Sequence, residues 1–200
     1  MTPDENLRSP YPQTTDALGR TWELRPHGWV CQGRDAKPQE LELQTRPPHP
    51  HRDLKTAIQL AVEAHDGQVD DHGLPYILHP FQVMIDVASV TPEPVRPAAM
   101  IVAVLHDTLE DTTLTQRDID SRFGGDISEL VWVLTRYPGQ RYEQFIERVN
   151  RYPVARIVKT CDVLHNLRRG ATSDAETDAR RRRKYLKALT MLKGSDDWSD

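Results

Sequence analysis

Cysteine is nearly missing from this chain. Cys31 and Cys161 are the only two; they sit in different segments without CxxC spacing, which argues against a disulfide framework and against a thiolate zinc site. No uninterrupted apolar run approaches the length of a membrane-spanning helix. Met1 is followed by polar, Pro-rich sequence rather than an apolar signal region, so the expectation is a cytoplasmic protein with no membrane partner. Nor is there an excess of basic charge: 26 Lys and Arg face 30 Asp and Glu, for a net of -4, and no general attraction to nucleic acid is expected. Internal repeats and low-complexity tracts are absent. What remains, with 38% hydrophobic and 28% charged residues over 200 positions, is a globular core of ordinary size plus an appendage.

Composition changes near residue 51. Residues 1–50 hold 8 of the 15 prolines and little helical periodicity. Within them, Trp22–Arg25 and Trp29–Gln32 read as short strands around a Pro-His-Gly turn, "ELELQ" at 40–44 could add a third, and "RPPHPH" acts as a stiff linker. Two tryptophans on so small a ribbon need another surface to cover them, so Trp22 and Trp29 are expected to pack on the main body. Residues 51–195 form the main domain, and 196–200 a tail. From Asp53, read as a helix cap, the pattern is helical throughout. Pro80 stands at the first position of one helix, "PVRPAAMIVAVLHD" is apolar enough to be a central buried helix, and "TQRDIDSRFG" closes at Gly124. Asp126 is expected to cap the helix that follows. The fold class is all-α, with a small N-terminal β-ribbon.

The stretch "AVLHDTLEDT" carries the chemistry. His106 and Asp107 are followed one turn later by Glu110 and Asp111, so that His106 would lie over Glu110 and Asp107 over Asp111 if one helix continued through them. Sequence neighbours diverge around a helix axis, so both His106 and Asp107 reach one ion only near a helix end or where other segments close the shell. His79, just before Pro80, and Asp162, beside the buried face of Ile157, Val158, Cys161 and Leu164, are the candidates to close it. A buried carboxylate needs a partner, and a divalent cation would serve. Two imidazoles and two carboxylates suit Mn²⁺, Fe²⁺ or Zn²⁺ better than Ca²⁺ or thiolate-bound zinc. The bland reading is that His-Asp pairs arise freely on solvated surfaces and that Glu110 and Asp111 cap the next helix. Against it, four ionisable groups crowded behind a buried helix repel and desolvate one another without a cation. His165, three residues after Asp162, could stand behind a metal ligand, although it and His65 read equally well as packed helix residues; His27, His49, His51 and His72 are given no role.

"AVEAHDGQ…GLPYILHP", "AVLHDTLEDT", "FGGDISELVWVLTR" and "VKTCDVLHNLR" resemble, in order and spacing, the hydrolase half of the Rel/Spo-type alarmone enzymes among the HD-domain phosphohydrolases. The short, single-domain alarmone hydrolases are the nearest likeness, and it covers residues 54–192. The resemblance implies an HD-domain helical bundle in which His79, His106, Asp107 and Asp162 hold Mn²⁺, Glu110 and Asp111 position and activate water, and Asn166 contacts substrate. The implied reaction removes the 3′-pyrophosphate of (p)ppGpp-like nucleotides, giving GDP or GTP and pyrophosphate.

Departures from that family bear on substrate. Where its members usually carry Arg-Lys to grip the nucleotide, this chain has Asp70-Asp71; Val163 stands where Arg is common, and Thr160-Cys161 replaces Leu-Ala. An Asp repels phosphate where an Arg would pair with it. Arg136, Tyr142, Arg148 and Lys159 could supply the missing contacts, although Arg148 and Lys159 also read as ordinary solvated helix residues, as does the Arg180–Lys184 run. Three hypotheses stand: a Mn²⁺-dependent (p)ppGpp hydrolase; the same chemistry on a pApp-like nucleotide or the 2′-phosphate of NADPH; and a non-catalytic nucleotide sensor using residues 1–50 as its interaction element. A phosphorylated nucleotide is the partner in each case, and a homo-oligomer is left open.

Overall fold

The computed structural model describes residues 13–15, 21–25, 28–31, 50–93, 95–169 and 174–192, with side chains from Asp53 onward. The chain divides into two compact units, residues 1–47 and 48–200. In the first, β1 (Gln13–Thr15), β2 (Thr21–Arg25) and β3 (Gly28–Cys31) form an antiparallel sheet in that order, with Trp22 opposite Cys31 and Leu24 opposite Trp29. The two expected strands are present, each beginning one residue earlier than expected. The third strand is at 13–15; the segment 40–44, the packing of the two tryptophans and the tail at 196–200 lie outside the described residues.

The second unit is helical, as its 3.6-residue periodicity predicts. Helix α1 (Pro50–Ala64) begins before Asp53, which sits in the first turn where its charge favours the helix dipole rather than at the cap. In α2 (Leu78–Val90), Pro80 takes the third rather than the first position, still among the N–H groups that have no helical partner. Helix α3 (Arg96–Leu105) is the centre of the bundle. Ala99 and all five residues from Ile101 to Leu105 are buried, and it packs against α1 and α2. Because every face of its second half is covered, burying it requires neighbours all round, and two later helices complete the ring.

After α3 the chain breaks at His106 and Asp107, then makes the single turn α4 (Thr108–Asp111). The Thr108 hydroxyl donates back to the Leu105 carbonyl at 2.7 Å, satisfying a helix-end acceptor. Helix α5 (Gln116–Phe123) opens with a reciprocal cap between Thr115 and Asp118 and closes at Gly124, whose φ of 84° suits glycine. Gly124 also precedes α6 (Gly125–Leu134), so Asp126 lies inside the first turn and makes no capping hydrogen bond, contrary to its expected role. Then come α7 (Tyr142–Asn150), α8 (Pro153–Arg168), with Pro153 at its start, and α9 (Ala175–Leu192). Helices α6 and α8 cover the remaining sides of α3, and α9 packs on α7 and α8.

Arg148 is neither a solvated residue nor a free substrate contact. Its Nη2 donates to the carbonyls of Thr135 and Val133 at the end of α6, and its guanidinium lies 4.6 Å from the Tyr137 ring centroid, 5.1 Å from Trp132 and 5.5 Å from Phe145. It ties α7 to the C-terminal end of α6. Arg148→Ala is expected to cost about 2 kcal/mol in chemical denaturation, through charged hydrogen bonds and cation–π contact, with metal-induced stabilisation retained. Unchanged stability with weakened nucleotide binding would return Arg148 to the substrate contacts.

Candidate metal centre

Three elements meet at one point inside the helical unit. Helix α2 delivers His79 from its first turn, the break after α3 delivers His106 and Asp107, and the middle of α8 delivers Asp162. His79 and His106 are buried, as is Asp162. His79 Nε2 lies 3.4 Å from Asp107 Oδ2 and 3.2 Å from Asp162 Oδ1; His106 Nε2 lies 3.1 Å and 3.8 Å from the same two oxygens. Ligand atoms of His79, His106 and Asp107 lie mutually within 4.8 Å, and Asp162 joins them through both imidazoles. The helix end is what makes this work. With α3 stopping at Leu105, the neighbours His106 and Asp107 turn toward the same point instead of diverging around an axis.

The donor set fits a divalent cation. His106 Nδ1 donates to the Ala103 carbonyl at 2.7 Å, which leaves Nε2 as the free lone pair of a neutral imidazole. That Nε2 is buried with no hydrogen-bond partner, although Asp107 Oδ2 is 3.1 Å away. Two atoms so close yet not aligned with each other suit a shared third atom. His79 is held from behind by His165, Nδ1 to Nδ1 at 2.7 Å, so its Nε2 faces the carboxylates. Burial opposes charge on either imidazole, but Asp107 and Asp162 outweigh it: the His79 pKa rises, and that of His106 is pushed up to about 10. Burial would raise both carboxyl pKa values, yet both are held well below the usual carboxylate range, Asp107 chiefly by His106 and Asp162 chiefly by Lys159. The centre therefore demands positive charge on its nitrogen side, as protons or as a metal ion.

Around this point the supporting contacts are specific. The Tyr76 hydroxyl donates to Asp107 Oδ2 at 2.6 Å and approaches Asp111 Oδ2 at 3.4 Å. Burial first, then the same two acids, raise its pKa, so it stays a donor. Gln68 accepts from His65 Nδ1 at 2.8 Å and donates to the Asp111 carbonyl at 2.8 Å, fastening the turn α4 to the end of α1. Glu110 accepts the backbone N–H of Arg136 at 2.9 Å. The Asp111 pKa is raised by burial, then by Asp107 and Glu110. Both acids are exposed at the mouth of the centre.

The remaining expected residues divide. Asn166 Nδ2 donates to Asp162 Oδ1 at 2.6 Å, and Lys159 Nζ lies 2.7 Å from Asp162 Oδ2 and 5.1 Å from the Phe145 centroid, so both brace an acid of the centre. Lys159, with its side chain 13% exposed, is not a solvated residue. The Tyr142 hydroxyl is buried close to Lys159 and Asp162, whereas Arg148 is committed to α6 as described. Asp70 and Asp71 do not stand as bare negative charge: Arg169 meets Asp70 and Arg181 meets Asp71, each at 2.9 Å. Within the Arg180–Lys184 run Arg181 thus grips the body of the domain, while Arg180, Arg182, Arg183 and Lys184 are exposed, as expected of a solvated face. Behind His79 a cavity of about 280 Å³ is lined by Asp70, His72, Gln82, His165 and Arg169 among others. His165, one of whose two expected places was behind a metal ligand, holds His79; Tyr76 and Gln68 were not legible as partners, each an ordinary polar residue until the fold brings distant segments together.

Because the carboxylates hold charge on the imidazoles, a divalent ion must displace protons to bind between them. Metal affinity is expected to rise with pH through the neutral range, with net proton release. Calorimetric titration of Mn²⁺ or Zn²⁺ in buffers of different ionisation enthalpy measures this. A pH-independent affinity without proton release would contradict it.

Comparison with known proteins agrees with this geometry. The HD domain family matches residues 57–187. A probable GTP pyrophosphokinase of Mycobacterium leprae is 28% identical over 148 residues, 70% of this chain and 18% of that protein. A guanosine-3′,5′-bis(diphosphate) 3′-pyrophosphohydrolase of Aquifex aeolicus is 30% identical over 139 residues, 65% of this chain and 20% of that protein. The match thus spans a fifth or less of the length of these relatives. A solved structure described as a metazoan ortholog of SpoT that hydrolyzes ppGpp superimposes with a TM-score of 0.60 at 25% identity, over 75% of this chain and 89% of that one. With the helical order, the motif order and the relatives in agreement, the chain belongs to the HD-domain family, as a protein of the Rel/Spo type.

Proposed function

We propose that the protein is a Mn²⁺-dependent hydrolase that removes the 3′-pyrophosphate of a (p)ppGpp-like nucleotide, giving GDP or GTP and pyrophosphate. The observation that carries this reading is the buried, partnerless Nε2 of His106 facing His79, Asp107 and Asp162, with Glu110 and Asp111 at the mouth. A site that only bound nucleotide would need no such pair of acids beside a complete ligand set. Relatives named as pyrophosphokinases are matched over a small part of their length, whereas the structure described as hydrolysing ppGpp is matched over 89% of its chain. The matched portion therefore favours hydrolysis over synthesis.

His79, His106, Asp107 and Asp162 would hold the metal, with Zn²⁺ or Fe²⁺ as alternatives to Mn²⁺. A divalent ion held there would lower the pKa of water and offset charge on phosphoryl oxygens. The chain supplies the rest. Asp111, whose pKa is raised by burial and by Asp107 and Glu110, is suited to take a proton from the attacking water. Glu110, anchored on the Arg136 N–H, orients that water. The Tyr76 hydroxyl keeps Asp107 and Asp111 from turning away, and Lys159 and Asn166 do the same for Asp162.

One observation keeps a second substrate in view. The cavity behind His79 is a candidate place for the nucleoside, near the lower end of the usual size range for ligand pockets. Its Asp70 is occupied by Arg169 and by the N–H groups of His72 and Leu74. Such a lining differs from an Arg-Lys grip and would also suit a pApp-like nucleotide or NADPH.

Pyrophosphate release from ppGpp with Mn²⁺ tests the reading. Asp107→Ala is expected to abolish it, and Glu110→Gln or Asp111→Asn to lower kcat by about 10²–10⁴. Tyr76→Phe should cost roughly 10- to 100-fold in metal affinity or activity, as partners of metal ligands do. Equal turnover by wild type and Asp107→Ala would overturn the metal mechanism. Competition among ppGpp, a pApp-like nucleotide and NADPH decides the substrate, and ligand-induced stabilisation without any turnover would favour a sensor.

A further inference from the structure

The last carbonyls of α6 have no acceptor role left inside the helix, and nearby donors meet them in turn. The Thr135 hydroxyl donates to the Val131 carbonyl at 3.0 Å, and the Thr135 N–H to the Trp132 carbonyl at 3.1 Å. The carbonyls of Val133 and Thr135 both accept from Nη2 of Arg148, which reaches them from α7. A guanidinium at this end also complements the negative pole of the helix dipole. The Trp132, Tyr137 and Phe145 rings stand around the half-buried side chain and restrict where it can go.

Thr135 leaves α6 with extended backbone, φ -84° and ψ 124°, and its carbonyl shares one peptide unit with the Arg136 N–H. That unit is planar and trans, so its C=O and N–H point in opposite directions. Fixing the oxygen therefore fixes where the N–H points. Here the oxygen is held by Arg148, and on the other side the N–H donates to Glu110 Oε2 at 2.9 Å. A cation on the carbonyl also polarises the unit, which makes the N–H a stronger donor to the carboxylate beyond it. Glu110 itself is exposed on the single turn α4, where an unheld carboxylate would sweep through its rotamers.

We infer that Arg148 is a positioning residue for Glu110, acting across the Thr135–Arg136 peptide without touching substrate, metal or water. The role rests on the proposed hydrolysis, in which Glu110 orients the attacking water. It gives the cluster of aromatic rings around Arg148 a part in the chemistry: they hold the guanidinium that aims the peptide that holds the acid.

A double-mutant cycle on the full chain separates this role from a merely structural one. With Mn²⁺ and ppGpp, well below the unfolding temperature, Arg148→Met is expected to lower kcat about tenfold, with KM and Mn²⁺ affinity nearly unchanged. In a Glu110→Ala background the same substitution should change kcat by less than about twofold, because the group it acts through is gone. An equal loss in both backgrounds, or a raised KM at unchanged kcat, overturns the role. Arg148→Lys keeps a donor for the Thr135 carbonyl and should recover part of the loss; it carries the same cycle if Arg148→Met does not fold. The amide proton resonance of Arg136 gives a reading without turnover. Arg148→Met should move it upfield, toward its position in Glu110→Ala, and an unmoved resonance overturns the coupling. A moved resonance in a chain that fails to hydrolyse ppGpp keeps the coupling and rejects the reaction; hydrolysis with equal losses in both backgrounds does the reverse.

Discussion

Two carboxylates and two imidazoles brought together in a largely dry interior cannot be neutral bystanders. At short range and low dielectric, Asp107 and Asp162 require compensating positive charge, and the protein meets the requirement with imidazole nitrogens, the Lys159 ammonium and donors from Tyr76 and Asn166. The architecture follows from that constraint. Helix α3 has to stop at Leu105, because only a helix end lets His106 and Asp107 face one point. The first turn of α2 and the middle of α8 have to cross beside that end. The buried ring of helices around α3 fixes these crossings, since a packed apolar core leaves little room for a ligand-bearing helix to slide.

The same constraint reaches beyond the four residues. His165 holds His79, Tyr76 holds Asp107, Lys159 and Asn166 hold Asp162, and the His106 ring is oriented by a backbone carbonyl. Each candidate ligand thus has a partner that sets its direction, which is the usual condition for a metal site with defined geometry. Outside this shell the charges come in pairs that fasten the C-terminal helices to the loop before α2, Arg169 with Asp70 and Arg181 with Asp71.

Much of this was legible in the sequence. The period of the apolar residues marks the helices from α1 to α9 except the single turn α4, and the apolar density of "AAMIVAVL" identifies the central one. His79, His106, Asp107 and Asp162 stand out because a buried His or Asp needs a reason. Helix starts were less legible: the chain enters α1 before Asp53, and Gly124 rather than Asp126 precedes α6, because several polar residues near a boundary can each satisfy a free N–H group. Tyr76 and Gln68 were invisible as partners, since their roles depend on helices that are distant in sequence. Arg148 was misread as surface charge, because nothing local in "FIERVN" announces that aromatic rings will lie against it.

The central claim is that His79, His106, Asp107 and Asp162 share one divalent ion. Anomalous X-ray diffraction at the manganese edge, on crystals grown with Mn²⁺, tests it most directly. The account predicts a single strong peak inside the helical unit, about 2.0–2.3 Å from His106 Nε2 and His79 Nε2 and from one carboxylate oxygen each of Asp107 and Asp162. A peak bound elsewhere, or none while the protein still hydrolyses nucleotide, would contradict it.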